Sequence, residues 1–72
     1  MNTLETAFLT RERAAEFLGI SSKTLERLAS VGDGPLFVRI ALRRVVYERS
    51  DLIAWSKARK FRSKAHELSR SD

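Results

Sequence analysis

The chain has 72 residues, 43% of them hydrophobic, 32% charged and none cysteine. This describes one small folded module without disulfide or thiolate-metal support, and it excludes a disordered tail. No apolar run approaches the roughly 20 residues of a membrane span, and the first ten residues lack the pattern of a signal peptide, so a cytoplasmic setting is expected. Fourteen basic residues against nine acidic ones give +5, but residues 1–34 carry −1 and residues 35–72 carry +6. That polarity suits a polyanion, either nucleic acid or an anionic membrane surface.

Residues 1–7 show no periodicity and read as a flexible N-terminus. Thr10 is a good N-cap, Glu12 favours the first turn of a helix, and Ala14, Phe17 and Leu18 form one apolar stripe. Gly19 stands where a left-handed residue ends that helix. Ser21 caps a second helix, with Ile20 and Leu25 spaced as a hydrophobic staple. Leu25, Leu28 and Ala29 make its buried stripe, and Gly32 ends it. Two amphipathic helices separated by Gly19, Ile20 and Ser21 alone must cross steeply, which predicts a helix-turn-helix.

Asp33-Gly34-Pro35 reads as a turn. Leu36–Ile40 and Val45–Arg49 are rich in strand formers, and Ala41-Leu42-Arg43-Arg44 between them reads as a hairpin loop with two arginines near its tip. Ser50 is the expected cap of a third helix that turns Leu52 and Trp55 inward. From Phe61 to Asp72 the pattern fades into a basic, polar tail that is either helical or disordered. The fold class is therefore mainly α with a small β-hairpin, one domain over residues 8–60, with no internal repeat.

The residues Leu9-Thr10-x3-Ala14-Ala15-x2-Leu18-Gly19-Ile20-Ser21-x2-Thr24-Leu25 resemble the opening of small winged helix-turn-helix proteins of the excisionase and AlpA-like groups. These groups are related to the DNA-binding half of MerR-type regulators. The continuation Gly34-Pro35-x-Phe37-Val38-Arg39-Ile40, Arg43-Arg44-Val45-x-Tyr47 and Ser50-Asp51-Leu52-x2-Trp55 is similar to their wing and closing helix. The chain departs from the pattern at Ala41-Leu42, where relatives commonly carry a glycine, and at Val46, where they are often basic.

The resemblance implies a second helix that enters the major groove of double-stranded DNA and a wing that reaches the adjacent backbone or minor groove. On this chain Ser22, Lys23, Thr24 and Arg27 match the recognition helix, and Arg43 and Arg44 match the wing. Ala14, Leu18, Leu25, Leu28, Val45, Tyr47, Leu52 and Trp55 match the core.

The residue chemistry agrees independently. Lys23 and Arg27 lie four apart on one helical face, and Ser22 and Thr24 sit near a helix start that suits phosphate oxygens. Arg39 and Arg49 read equally as flanking DNA contacts or as partners of Glu48 across strands. The run Lys57, Arg59, Lys60, Arg62 and Lys64 reads as a solvated helix end or as extra phosphate or protein contact. Strand alternation turns Val46 outward if Val45 and Tyr47 are core. Phe37, Leu42, Val46 and Phe61 are then candidate contacts with a neighbouring protomer on the DNA.

Enzyme chemistry is not expected. His66 is the one histidine, with no companion metal ligand, and Gly32-Asp33-Gly34-Pro35 lacks the lysine and helix of a phosphate loop. No cofactor, metal or small-molecule ligand is expected. The expectation is an excisionase, or recombination directionality factor, of a bacterial mobile element. It would act at the nucleoid, binding cooperatively as a head-to-tail homo-oligomer, bending DNA and working with a site-specific recombinase (integrase). The alternatives are an AlpA- or MerR-like transcription regulator at an operator and, in another class, a protein-interaction module acting as an anti-activator.

Overall fold

A computed structural model describes residues 7–70. The expected flexible start therefore lies, but for Ala7, outside the described residues. In chain order the elements are β1 (Phe8–Thr10), α1 (Arg11–Leu18), α2 (Ser22–Ser30), β2 (Val38–Ala41), β3 (Arg44–Glu48), α3 (Arg49–Lys57) and α4 (Lys64–Arg70).

The helix-turn-helix forms as its caps dictate. The Thr10 hydroxyl accepts from the Arg13 amide at 3.2 Å and starts α1. At the other end Gly19 takes φ 76°, its amide donates to the Glu16 carbonyl, and the Ile20 amide reaches back to the Ala15 carbonyl at 2.9 Å. This is a Schellman closure, and the left-handed residue it requires is a glycine. The same closure ends α2, with Gly32 donating to Ala29 and Asp33 to Leu28.

The three strands form one antiparallel sheet in the order β1-β3-β2. The sequence predicts a two-stranded wing, but Phe8-Leu9-Thr10 adds a third strand, with Leu9 opposite Tyr47 and Thr10 opposite Val46. Three residues are too short to show a strand period, so only the pairing reveals them. The hairpin is also tighter than expected. Ala41 pairs with Arg44 and leaves Leu42-Arg43 as the turn, with a register shift between Arg39 and Ala41. No non-glycine residue has positive φ, so the turn is not one of the primed types whose twist matches the strands. The register shift at Ile40 accompanies this glycine-free turn, and an irregularity of that kind locally increases strand twist.

Two boundaries differ from the sequence reading. Leu36 and Phe37 lie outside β2. The third helix starts two residues early, at Arg49, with Glu48 rather than Ser50 as N-cap and no side-chain bond to the cap. β3 runs straight into α3 without a loop, so the helix entry is fixed by sheet pairing of Tyr47 and Glu48 and not by a capping hydroxyl.

Ala14, Ala15, Leu25, Val45, Tyr47 and Leu52 form the buried core, with Leu9, Leu18 and Ile20 packed against it. Leu28 and Trp55 are half-buried. The Trp55 indole donates to the Asp33 carbonyl at 3.0 Å, and Arg59 stacks 4.6 Å from the indole centre while donating to the same carbonyl at 2.7 Å. This clasp ties the end of α3 to the turn after α2. The tail resolves as helix α4, and the exposure of Phe61–Ala65 and of Glu67 and Leu68 places it outside the packed core.

Candidate nucleic-acid interface

The start of α2 is locked locally. The Thr24 amide donates to the Ser21 hydroxyl at 3.1 Å, and that hydroxyl donates to Thr24 Oγ1 at 2.9 Å. The Thr24 hydroxyl therefore holds the cap and keeps its own proton to donate outward. Helical phase places Lys23, Arg27 and Ser30 opposite the stripe of Leu25, Leu28 and Ala29. Lys23 and Arg27 are exposed one turn apart, and Ser22 and Thr24 are half-buried on the two flanks. A rigid helix so presents two cations that can reach base edges or phosphates together.

The wing contributes a second basic region. Arg43 and Arg44 are exposed at and beside the turn. Together with Thr10, Arg11 and Glu12 at the start of α1 they line an open cleft of about 360 Å³. Arg39 lies over the Phe37 ring and donates to the Leu42 carbonyl at 2.9 Å, so it braces the turn from inside the hairpin. Arg49 sits elsewhere, its guanidinium 5.3 Å from the centre of the Phe17 ring on α1.

The four residues named for protomer contact do not share a surface. Phe37 packs its ring 6.0 Å from that of Tyr47, on the core side of the sheet. Val46 is half-buried on the opposite face, in register with Thr10 and Val38. Phe8, Val38 and Ile40 are exposed on or beside that outer face, and Leu42 at the turn is 83% exposed. Phe61 is partly exposed between α3 and α4.

One further candidate residue, Arg11, has no counterpart among those the sequence singles out. Arg11 is half-buried, and its Nε is fully buried without a hydrogen-bond partner. A signal for it was present, because Arg11, Ala14, Ala15 and Leu18 share one helical stripe, so the arginine enters the molecule beside the core. Its neighbour Tyr47 is fully buried, with a hydroxyl that likewise has no partner. Burial pushes the Tyr47 phenol above its ordinary value, while the Arg11 guanidinium beside it draws it part of the way back.

A helix-turn-helix whose outward face carries Lys23 and Arg27, next to a basic β-wing, defines a winged helix-turn-helix DNA-binding protein. The chain belongs to the helix-turn-helix domain family, whose pattern matches residues 8–60, from β1 to just beyond α3. No curated protein matches it. Among the described residues, no helix is long and apolar enough to cross a membrane, and no cluster of metal-ligating side chains occurs.

Proposed function

We propose that the protein is a non-catalytic, sequence-specific excisionase that binds DNA cooperatively and bends it so that a partner recombinase can excise a mobile element. Lys23 and Arg27 read bases in the major groove, with Ser22 and Thr24 at its edge. Arg43 and Arg44 hold the backbone beside the wing. Such a protein works in the bacterial cytoplasm, at the nucleoid.

One observation carries the preference for excision over single-site regulation. The outer face of the sheet carries Phe8, Val38 and Val46 among Thr10, Arg44 and Glu48, with Val38 at 38% exposure, and the apolar side chains continue through Ile40 at 59% to Leu42 at the turn. An apolar wing face suits contact with the next copy along the DNA, and few base contacts per copy make such cooperation necessary for tight binding. A face on one side of the molecule meeting a different face of its neighbour generates a head-to-tail row.

Selection of bound sequences from a random DNA pool, followed by footprinting, tests the reading. Closely spaced direct repeats filled cooperatively are the expected result. An isolated inverted repeat would make the protein a symmetric operator-binding regulator. Absence of any preferred sequence would leave the anti-activator alternative.

A further inference from the structure

Between α2 and the wing lies a cavity of about 180 Å³ lined by Arg11, Glu26, Ser30, Phe37, Arg39 and Tyr47, among others. We propose that this cavity is a phosphate-group site, with the Tyr47 hydroxyl and the Arg11 guanidinium as donors and a backbone phosphate of bound DNA as occupant. The identity of the occupant rests on the DNA-binding reading above. The phosphate chemistry rests on the cavity alone.

Tyr47 is 0% exposed, and its hydroxyl lies close enough to the Arg11 guanidinium for the two to interact, yet neither that hydroxyl nor the buried Arg11 Nε makes a well-formed hydrogen bond. Buried polar groups are normally paired, and an unsatisfied one weakens the fold, so two such groups side by side, on residues that line one cavity, point to a group that completes them. Arginine can only donate. A phenol carries its proton at neutral pH, so the Tyr47 hydroxyl too can donate. What is missing is an acceptor with several oxygens and negative charge. Phosphate meets both needs, and the fork of an arginine fits it.

Charge and position agree. Arg11 and Arg39 supply two guanidiniums against the single carboxylate of Glu26, which is exposed on α2. Arg39 spends Nη1 on the Leu42 carbonyl, leaving the other nitrogens of its fork for a ligand. The cavity lies between α2 and the wing, the two elements that the DNA-binding reading places on the duplex. Arg11 also lines the adjoining cleft with Arg43 and Arg44, so phosphate contacts can continue towards the wing tip.

Tyr47→Phe tests this directly, because it removes the hydroxyl and keeps the ring packed on Phe37. The expected result is DNA binding weaker by about tenfold, the scale of one hydrogen bond to a charged group, with a melting temperature unchanged or higher because a buried orphan has gone. Arg11→Gln should weaken binding and make the salt dependence shallower by about one unit of slope, while Glu26→Gln should tighten it. In parallel, inorganic phosphate is compared with chloride at matched ionic strength for its effect on the melting temperature of the wild type and of Tyr47→Phe.

Weaker DNA binding by Tyr47→Phe establishes a DNA phosphate in the cavity. Unchanged DNA binding, together with phosphate protection of the wild type but not the variant, keeps the site and assigns it to free phosphate. If both measurements are unaffected by the substitution, the proposal is overturned. If the wild type binds no DNA at all, the DNA-binding reading fails, and the melting comparison still decides this one.

Discussion

The helix-turn-helix is closed by bonds between near neighbours, such as Ile20 to Ala15 and Thr24 to Ser21, whereas the wing is closed by pairings such as Leu9 with Tyr47. The first region carries its local geometry in its caps, while packing of Ala14, Ala15 and Leu25 on the rest of the core keeps its short helices folded. The second has no capping logic of its own. Its turn is braced by Arg39, its register shifts at Ile40, and the free edge of β3 is covered by a strand from the far end of the domain. Local closure gives a fixed reading head, and non-local closure gives an adjustable grip whose shape follows what packs on it.

Substitutions can break that contrast in order of size. Leu25 is fully buried where the two regions meet, and Leu25→Ala should cost about 3 kcal/mol by leaving a cavity. Against a total of roughly 5–15 kcal/mol, that is enough to broaden or abolish the thermal transition followed by circular dichroism. Arg27→Ala leaves the fold alone and should weaken specific binding by about 1–3 kcal/mol while relaxing base preference. Equal loss on every sequence would make Arg27 a phosphate contact. Ser21→Ala removes the cap that orders the start of α2 and should lower stability by about 1 kcal/mol in a denaturant titration.

The wing should respond differently. Changing Ile40 and Leu42 together to Ser touches only exposed side chains, so stability should move by no more than about 0.5 kcal/mol. Binding to one isolated site should hold, and cooperativity between adjacent sites should fall. Unchanged cooperativity would remove the outer sheet face from the assembly. The smallest effect is the alkaline limb of stability. Burial holds the Tyr47 proton on in the folded state, so above the ordinary phenol value the unfolded chain ionises first and stability falls as pH rises. Tyr47→Phe should flatten that limb in melts run across pH 9–11.

The same contrast governs how much was legible beforehand. Thr10, Gly19, Ser21 and Gly32 announced both helices and their ends, because caps and left-handed closures depend on residues within one turn. The start of α3 was misplaced at Ser50 because a plausible capping hydroxyl lost to strand pairing by its neighbours. Arg11 does not stand out in the sequence, because a charge beside an apolar stripe is usually a solvated end, and only the approach of Tyr47 shows that it turns inward.

What the sequence determined by itself was therefore the pair of capped helices, the cations on α2 and the basic character of the wing. Periodicity, capping and charge are properties of nearby residues. Tertiary structure alone decided that Phe8–Thr10 completes the sheet, that the Phe37 ring packs on Tyr47 while Val38 lies on the opposite face with Val46, and that Arg11 meets Tyr47 beside the wing. Each of these depends on contacts between segments far apart in the chain, and no local spacing encodes which of the available surfaces will come together.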